Sequence, residues 1–78
     1  MHTFQINLRS VGDVKVFVTA ASLVSCDVDV LSGRYLVDAK SIMGLFSLNL
    51  SKPVTVQVHG SQEAADAFQE TISELVLK

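Results

Sequence analysis

Polar and apolar residues alternate along the opening of the chain, with Phe4, Ile6 and Leu8 on one side and Gln5, Asn7 and Arg9 on the other. A period of two predicts a strand over residues 3–9 with one face turned to water. Ser10 and Asp13 then stand three apart ahead of a long apolar stretch, a pattern that favours a helix start. Val14, Phe17, Val18 and Ala21 fit one helical face, with Val24 nearby. Val14, Val16 and Val18 also alternate as a strand would, and β-branched side chains favour that state. Length decides between the two. No turn signal interrupts the run from Val11 to Val24, so the spacing predicts a helix there.

Cys26, Val28 and Val30 next alternate with Asp27 and Asp29, and Ser32-Gly33 supplies a two-residue turn in which glycine can take a positive φ. Pairing across that turn sets Val30 opposite Tyr35 and Val28 opposite Val37, both on the inward face. Ser41 opens a short helix over Ile42-Met43-Gly44-Leu45-Phe46, because its hydroxyl can accept from an otherwise unpaired backbone N–H. Asn49 is a left-handed stop for that helix. After Pro53, Val54, Val56 and Val58 form a last strand with Thr55, Gln57 and His59 outward. Gly60-Ser61 leads into a helix with an acidic first turn and an apolar stripe of Ala65, Phe68, Ile72 and Leu75. The order is β-α-β-β-α-β-α, and every strand has one apolar face to cover. The expected fold is α+β: an open-faced sandwich, with a four-stranded antiparallel sheet covered on one side by two longer helices and one short helix.

Composition narrows the setting. Seventy-eight residues make one core, so 1–78 is expected to be a single domain. Hydrophobic residues are 49% of the chain and one residue is proline, which argues against disorder. The single cysteine, Cys26, cannot form an internal disulfide, so a reducing, cytoplasmic setting is expected. No apolar stretch reaches signal-peptide or membrane-spanning length, and no membrane association is expected. Net charge is −2, and no basic run exists to neutralise a phosphate backbone, so no nucleic-acid partner is expected.

Candidate chemistry is sparse. His2, Cys26 and His59 show no close ligand spacing; Cys26 falls on the apolar side of its strand and His59 on the polar side, so no metal site is expected. Asp27 and Asp29 read as a wet outer face, and Asp38 as a local hydrogen-bonding residue ahead of Ser41. No nucleophile–base pair, glycine-rich phosphate loop or cofactor motif is present in the sequence. Neither an enzyme nor a cofactor is expected.

The element order, together with Lys40-Ser41-Ile42-Met43-Gly44-Leu45-Phe46-Ser47-Leu48, resembles the HPr family of phosphocarrier proteins of the sugar phosphotransferase system. The resemblance is strongest over residues 38–59 and fainter from Cys26 to Leu77. In that family a similar Lys-Ser-Ile-Met-Gly stretch surrounds a regulatory serine phosphorylated by a dedicated kinase, which implies Ser41 as a phosphorylation site. The resemblance also implies that the Ser41 helix docks protein partners, with Ile42, Met43 and Phe46 as its exposed apolar patch while Leu45 faces inward. On the residues alone, Ser41 is explained equally well as a helix cap, and the three apolar side chains as core.

The first part departs from the family's pattern. HPr proteins carry His-x-Arg-Pro in the loop entering the first long helix, and that histidine takes phosphate from enzyme I. The matching stretch here reads Ser10-Val11-Gly12-Asp13-Val14-Lys15, in a loop several residues shorter, with no histidine, arginine or proline. Phosphoryl transfer needs a ring nitrogen exposed at a helix start with a cation beside it. HPr relatives with the serine but without the histidine serve catabolite regulation, so the resemblance implies a regulatory or interaction module, with an HPr-type serine kinase among its partners. The alternatives are a phosphocarrier using a non-standard residue and a structural module that forms a homo-oligomer.

Overall fold

The computed structural model describes residues 2–77. In chain order the elements are β1 (His2–Ile6), α1 (Val11–Ser22), β2 (Asp27–Ser32), β3 (Tyr35–Asp38), α2 (Ile42–Phe46), β4 (Val54–His59) and α3 (Gln62–Thr71). The strands form one antiparallel sheet in the order β1-β4-β2-β3. Placing β4 between β1 and β2 explains its composition. It is hydrogen-bonded on both sides and alternates Val54, Val56 and Val58, all buried, with Thr55, Gln57 and His59.

All three helices open on a serine whose hydroxyl accepts the N–H three residues on: Ser10 from Asp13, Ser41 from Gly44 and Ser61 from Ala64. That bond supplies an acceptor to one of the N–H groups that a helix start leaves without an intrahelical partner. The helices lay their apolar stripes on the same face of the sheet. Val14, Phe17, Ala20 and Ala21 come from α1, Leu45 from α2, and Ala65 and Phe68 from α3. Phe68 stands between Phe4 and Phe17, with ring centroids 6.2 and 5.7 Å away and both pairs tilted. The expected open-faced sandwich is the fold observed.

Local details depart from the sequence reading. The hairpin turns at Gly33-Arg34 rather than Ser32-Gly33, so Val30 pairs with Val37, and Tyr35 with Ser32. Gly33 has φ 59° and is the sole residue with positive φ among those described. A two-residue hairpin loop with positive φ at its first position alone suits glycine there, which pulls the turn one residue forward. The shift moves each pairing by two positions, so no side chain changes face. Asn49 is not left-handed; its Oδ1 accepts from the Ser51 N–H and hydroxyl and so organises a turn. β1 ends at Ile6, α1 at Ser22 and α3 at Thr71, yet Leu8, Ile72 and Leu75 are still buried beyond those ends. The segment after α3 returns to β1: Leu77 N–H donates to Gln5 C=O and Asn7 N–H to Leu75 C=O, closing that edge of the sheet.

Candidate docking and phosphorylation site

Ser41 is held by a turn fixed at both ends. Its N–H donates to the carbonyl of Asp38 at 3.0 Å, and the Asp38 carboxylate accepts the Lys40 N–H at 2.8 Å. Asp38 thus does the local bonding expected of it. Lys40 reaches across to the chain leaving α1, its ammonium donating to Val24 C=O at 3.0 Å. Ser41 then caps α2, is exposed, and presents its hydroxyl at the helix start.

Gly44 lets α2 ride close on the sheet. A β-carbon built there would lie 3.2 Å from Ser41 Oγ and 3.3 Å from Val37 Cβ, tighter than ordinary contact. Leu45 is completely buried beneath the helix, which turns the opposite side outward. Met43 is 77% and Phe46 44% exposed, whereas Ile42 is half-buried and packs against the core. Ser41, Met43 and Phe46 are thus each accessible on this short helix and its cap, whereas Ile42 is partly withdrawn into the core.

The other half of the surface was not legible from the α2 sequence. A cavity of about 330 Å³ lies between the end of α2 and the start of α1, lined by Leu8, Arg9, Val11, Val14, Phe46 and Leu50. It joins Phe46 to Val11, itself exposed. The start of α1 also carries a guanidinium after all, one residue ahead of the stretch compared above. Arg9 directly precedes the cap, and its backbone N–H donates to the Asp13 carboxylate at 3.0 Å. The signal was in plain sight as Arg9-Ser10.

Neither imidazole lies there. His2 pairs with Val58 at one end of the sheet, whereas α1 follows from the Ile6–Val54 pair at the other. Four residues of strand separate the two ends by roughly 13 Å. His59 Nε2 lies 2.8 Å from Asp29 Oδ2 across β4 and β2, a pair that strand alternation alone did not reveal. The first turn of α1 instead holds the Asp13 carboxylate, whose charge would oppose a phosphate. Cys26 packs half-buried against Gly60, where a β-carbon would come within 2.6 Å of its sulfur. Among the described residues no three His, Cys, Asp or Glu side chains gather as a metal site requires, and no helix is long and apolar enough to cross a membrane.

Comparison with known proteins places this arrangement. The family model for the PTS HPr component phosphorylation site matches residues 13–78. The chain belongs to the HPr family. Solved structures of HPr proteins are similar along nearly the whole chain. HPr-C-His from Thermoanaerobacter tengcongensis superposes with a TM-score of 0.77 at 29% identity, over 95% of this chain and 93% of that one. HPr from Bacillus anthracis gives 0.68 at 26% identity, over 90% and 92%. The catabolite repression protein Crh of Bacillus subtilis, solved as a swapped dimer, gives 0.65 at 32% identity, over 95% and 88%. No curated protein sequence matches. Proteins of the HPr family are phosphocarriers rather than enzymes, and they interact with other proteins.

Proposed function

We propose that this chain is a cytoplasmic, bacterial regulatory module of the Crh type, acting as a single domain that presents α2 to a protein partner, with Ser41 as its switch. The observation that carries the reading is a contrast between two helix starts. At α2, Ser41 is an exposed cap on a helix whose Met43 and Phe46 are accessible. At α1, the helix start holds Ser10, Val11 and Asp13, with the Asp13 carboxylate bonded to Arg9 N–H and neither imidazole nearby.

A phosphate on Ser41 would add about −1.5 to −2 charge and three acceptor oxygens beside the Met43–Phe46 patch. Partners selected for an apolar patch and partners selected for an anion beside it would then be told apart. Met43 and Phe46 are the proposed contact residues, with half-buried Ile42 contributing its outer edge and Val11 extending the surface. An HPr-type serine kinase is the proposed modifying partner.

Incubation with such a kinase and ATP tests the switch. The expected result is one phosphate, stable to acid, on wild type and none on Ser41→Ala. An unlabelled wild type alongside a labelled control HPr would defeat the regulatory reading.

A further inference from the structure

The two edges of the sheet are not alike. The edge of β1 is closed by residues 75–77 of the same chain through the Leu77–Gln5 and Asn7–Leu75 bonds. The edge at β3 is open among the described residues, and it carries Tyr35 at 71% and Leu36 at 57% exposed. The two-residue turn makes Ser32–Tyr35 the first hydrogen-bonded pair of the hairpin, and bonding then alternates to Val30–Val37. The N–H and C=O of Leu36 therefore point away from β2, as does the N–H of Asp38; the Asp38 carbonyl is taken by Ser41.

We propose that two copies of this chain associate through β3, edge to edge and antiparallel, in a register centred on Leu36. The sequence Arg34-Tyr35-Leu36-Val37-Asp38 is complementary to itself in that direction. Leu36 faces Leu36 of the partner subunit and exchanges two main-chain hydrogen bonds with it. Arg34 faces Asp38 of the partner subunit, and Asp38 faces Arg34 of the partner subunit, so opposite charges meet twice.

On the outer face, Leu31 lies beside Leu36 in the hairpin, so four leucines would run in one row across the joint. Only alternate residues present free backbone groups, so any other register slips by two. One slip sets Arg34 against Lys40 of the partner subunit, and the other sets Arg34 against Leu36 of the partner subunit. Charge and apolarity thus select a single register. This inference stands apart from the α2 reading, because β3 meets its copy through the sheet edge and α2 stays outward.

A four-residue strand gives a small joint, so association is reversible and expected at roughly millimolar to submillimolar concentration. Sedimentation equilibrium under reducing conditions is the measurement. Arg34→Asp and Asp38→Arg each bring like charges together and should weaken the dimer at least ~tenfold. The double variant restores opposite charges and should recover wild-type association, although it lacks the Asp38–Lys40 turn bond just as the single Asp38→Arg variant does.

A second readout needs no equilibrium constant. On a Cys26→Ala background, Leu36→Cys should oxidise to a covalent dimer faster than the more exposed Leu23→Cys, because paired Cα atoms would lie ~5.5 Å apart. A chain that stays monomeric at millimolar concentration overturns the proposal. So does a dimer indifferent to either single charge reversal, or a double variant no better than the singles.

Discussion

Replacing Gly44 by alanine tests how closely α2 is pressed on β3, because two effects of opposite sign meet there. In a helix interior alanine is favoured over glycine by about 1 kcal/mol, and by less near the start of a five-residue helix. Against this, the new methyl would lie 3.2 Å from Ser41 Oγ and 3.3 Å from Val37 Cβ, where unstrained carbon contacts lie at about 3.5–4.0 Å. Neither neighbour is a free end. Ser41 Oγ is held by the Gly44 N–H at 3.2 Å, and Val37 Cβ is part of a strand paired with Val30. Relief requires α2 to lift, which loosens the completely buried Leu45.

Overpacking of this kind costs about 1–3 kcal/mol, so the crowding wins. The net destabilisation should be about 0.5–2 kcal/mol, with Tm falling by about 4–8 °C per kcal/mol in a chain of this size. Urea and thermal unfolding followed by circular dichroism measure it. Ser41→Ala alone should cost about 1 kcal/mol through the lost cap. The double variant should cost less than the sum, because one hydroxyl supplies both the cap and part of the clash. A Gly44→Ala protein as stable as wild type, or more so, would refute the close approach.

Other variants probe the remaining elements. Phe17→Ala empties a site with no exposure beside Phe68 and should cost about 3–5 kcal/mol, a large part of the ~4–12 kcal/mol expected for 78 residues; chemical denaturation measures the loss. Gly33→Val forces a side chain into φ 59° and should cost about 1–2 kcal/mol, with Gly33→Asn costing less; thermal unfolding ranks the two. Met43→Asp alters an exposed position and should leave stability within about 0.5 kcal/mol. Phe46→Asp removes a ring that is more than half covered and should cost about 1–2 kcal/mol. With either variant a pull-down loses the partner that wild type captures. Retained capture by both would move the docking surface elsewhere.

The parts of the fold that follow from periodicity were legible in the residues. Val54, Val56 and Val58, and the stripe Ala65, Phe68, Ile72 and Leu75, are buried because alternation and helical spacing are local consequences of backbone geometry. The serine caps could be read at Ser10 and Ser41 for the same reason. Register was less accessible. Ser32-Gly33 and Gly33-Arg34 both place a glycine in a two-residue loop, and a shift of two positions keeps every side chain on its face, so hydrophobic pattern does not distinguish them. The site was legible in its α2 half, where consecutive residues share one helix. Its junction with Val11 and Arg9, and the approach of His59 to Asp29, join residues far apart in sequence and depend on tertiary placement.

The most direct test of the account is phosphoryl transfer from enzyme I and phosphoenolpyruvate to this chain, read by intact mass and acid lability alongside a histidine-bearing HPr. With both imidazoles at the far end of the sheet and Asp13 in the first turn of α1, the control should be phosphorylated and this chain should not. Acid-labile phosphate on wild type that disappears in His2→Ala or His59→Ala would contradict the account.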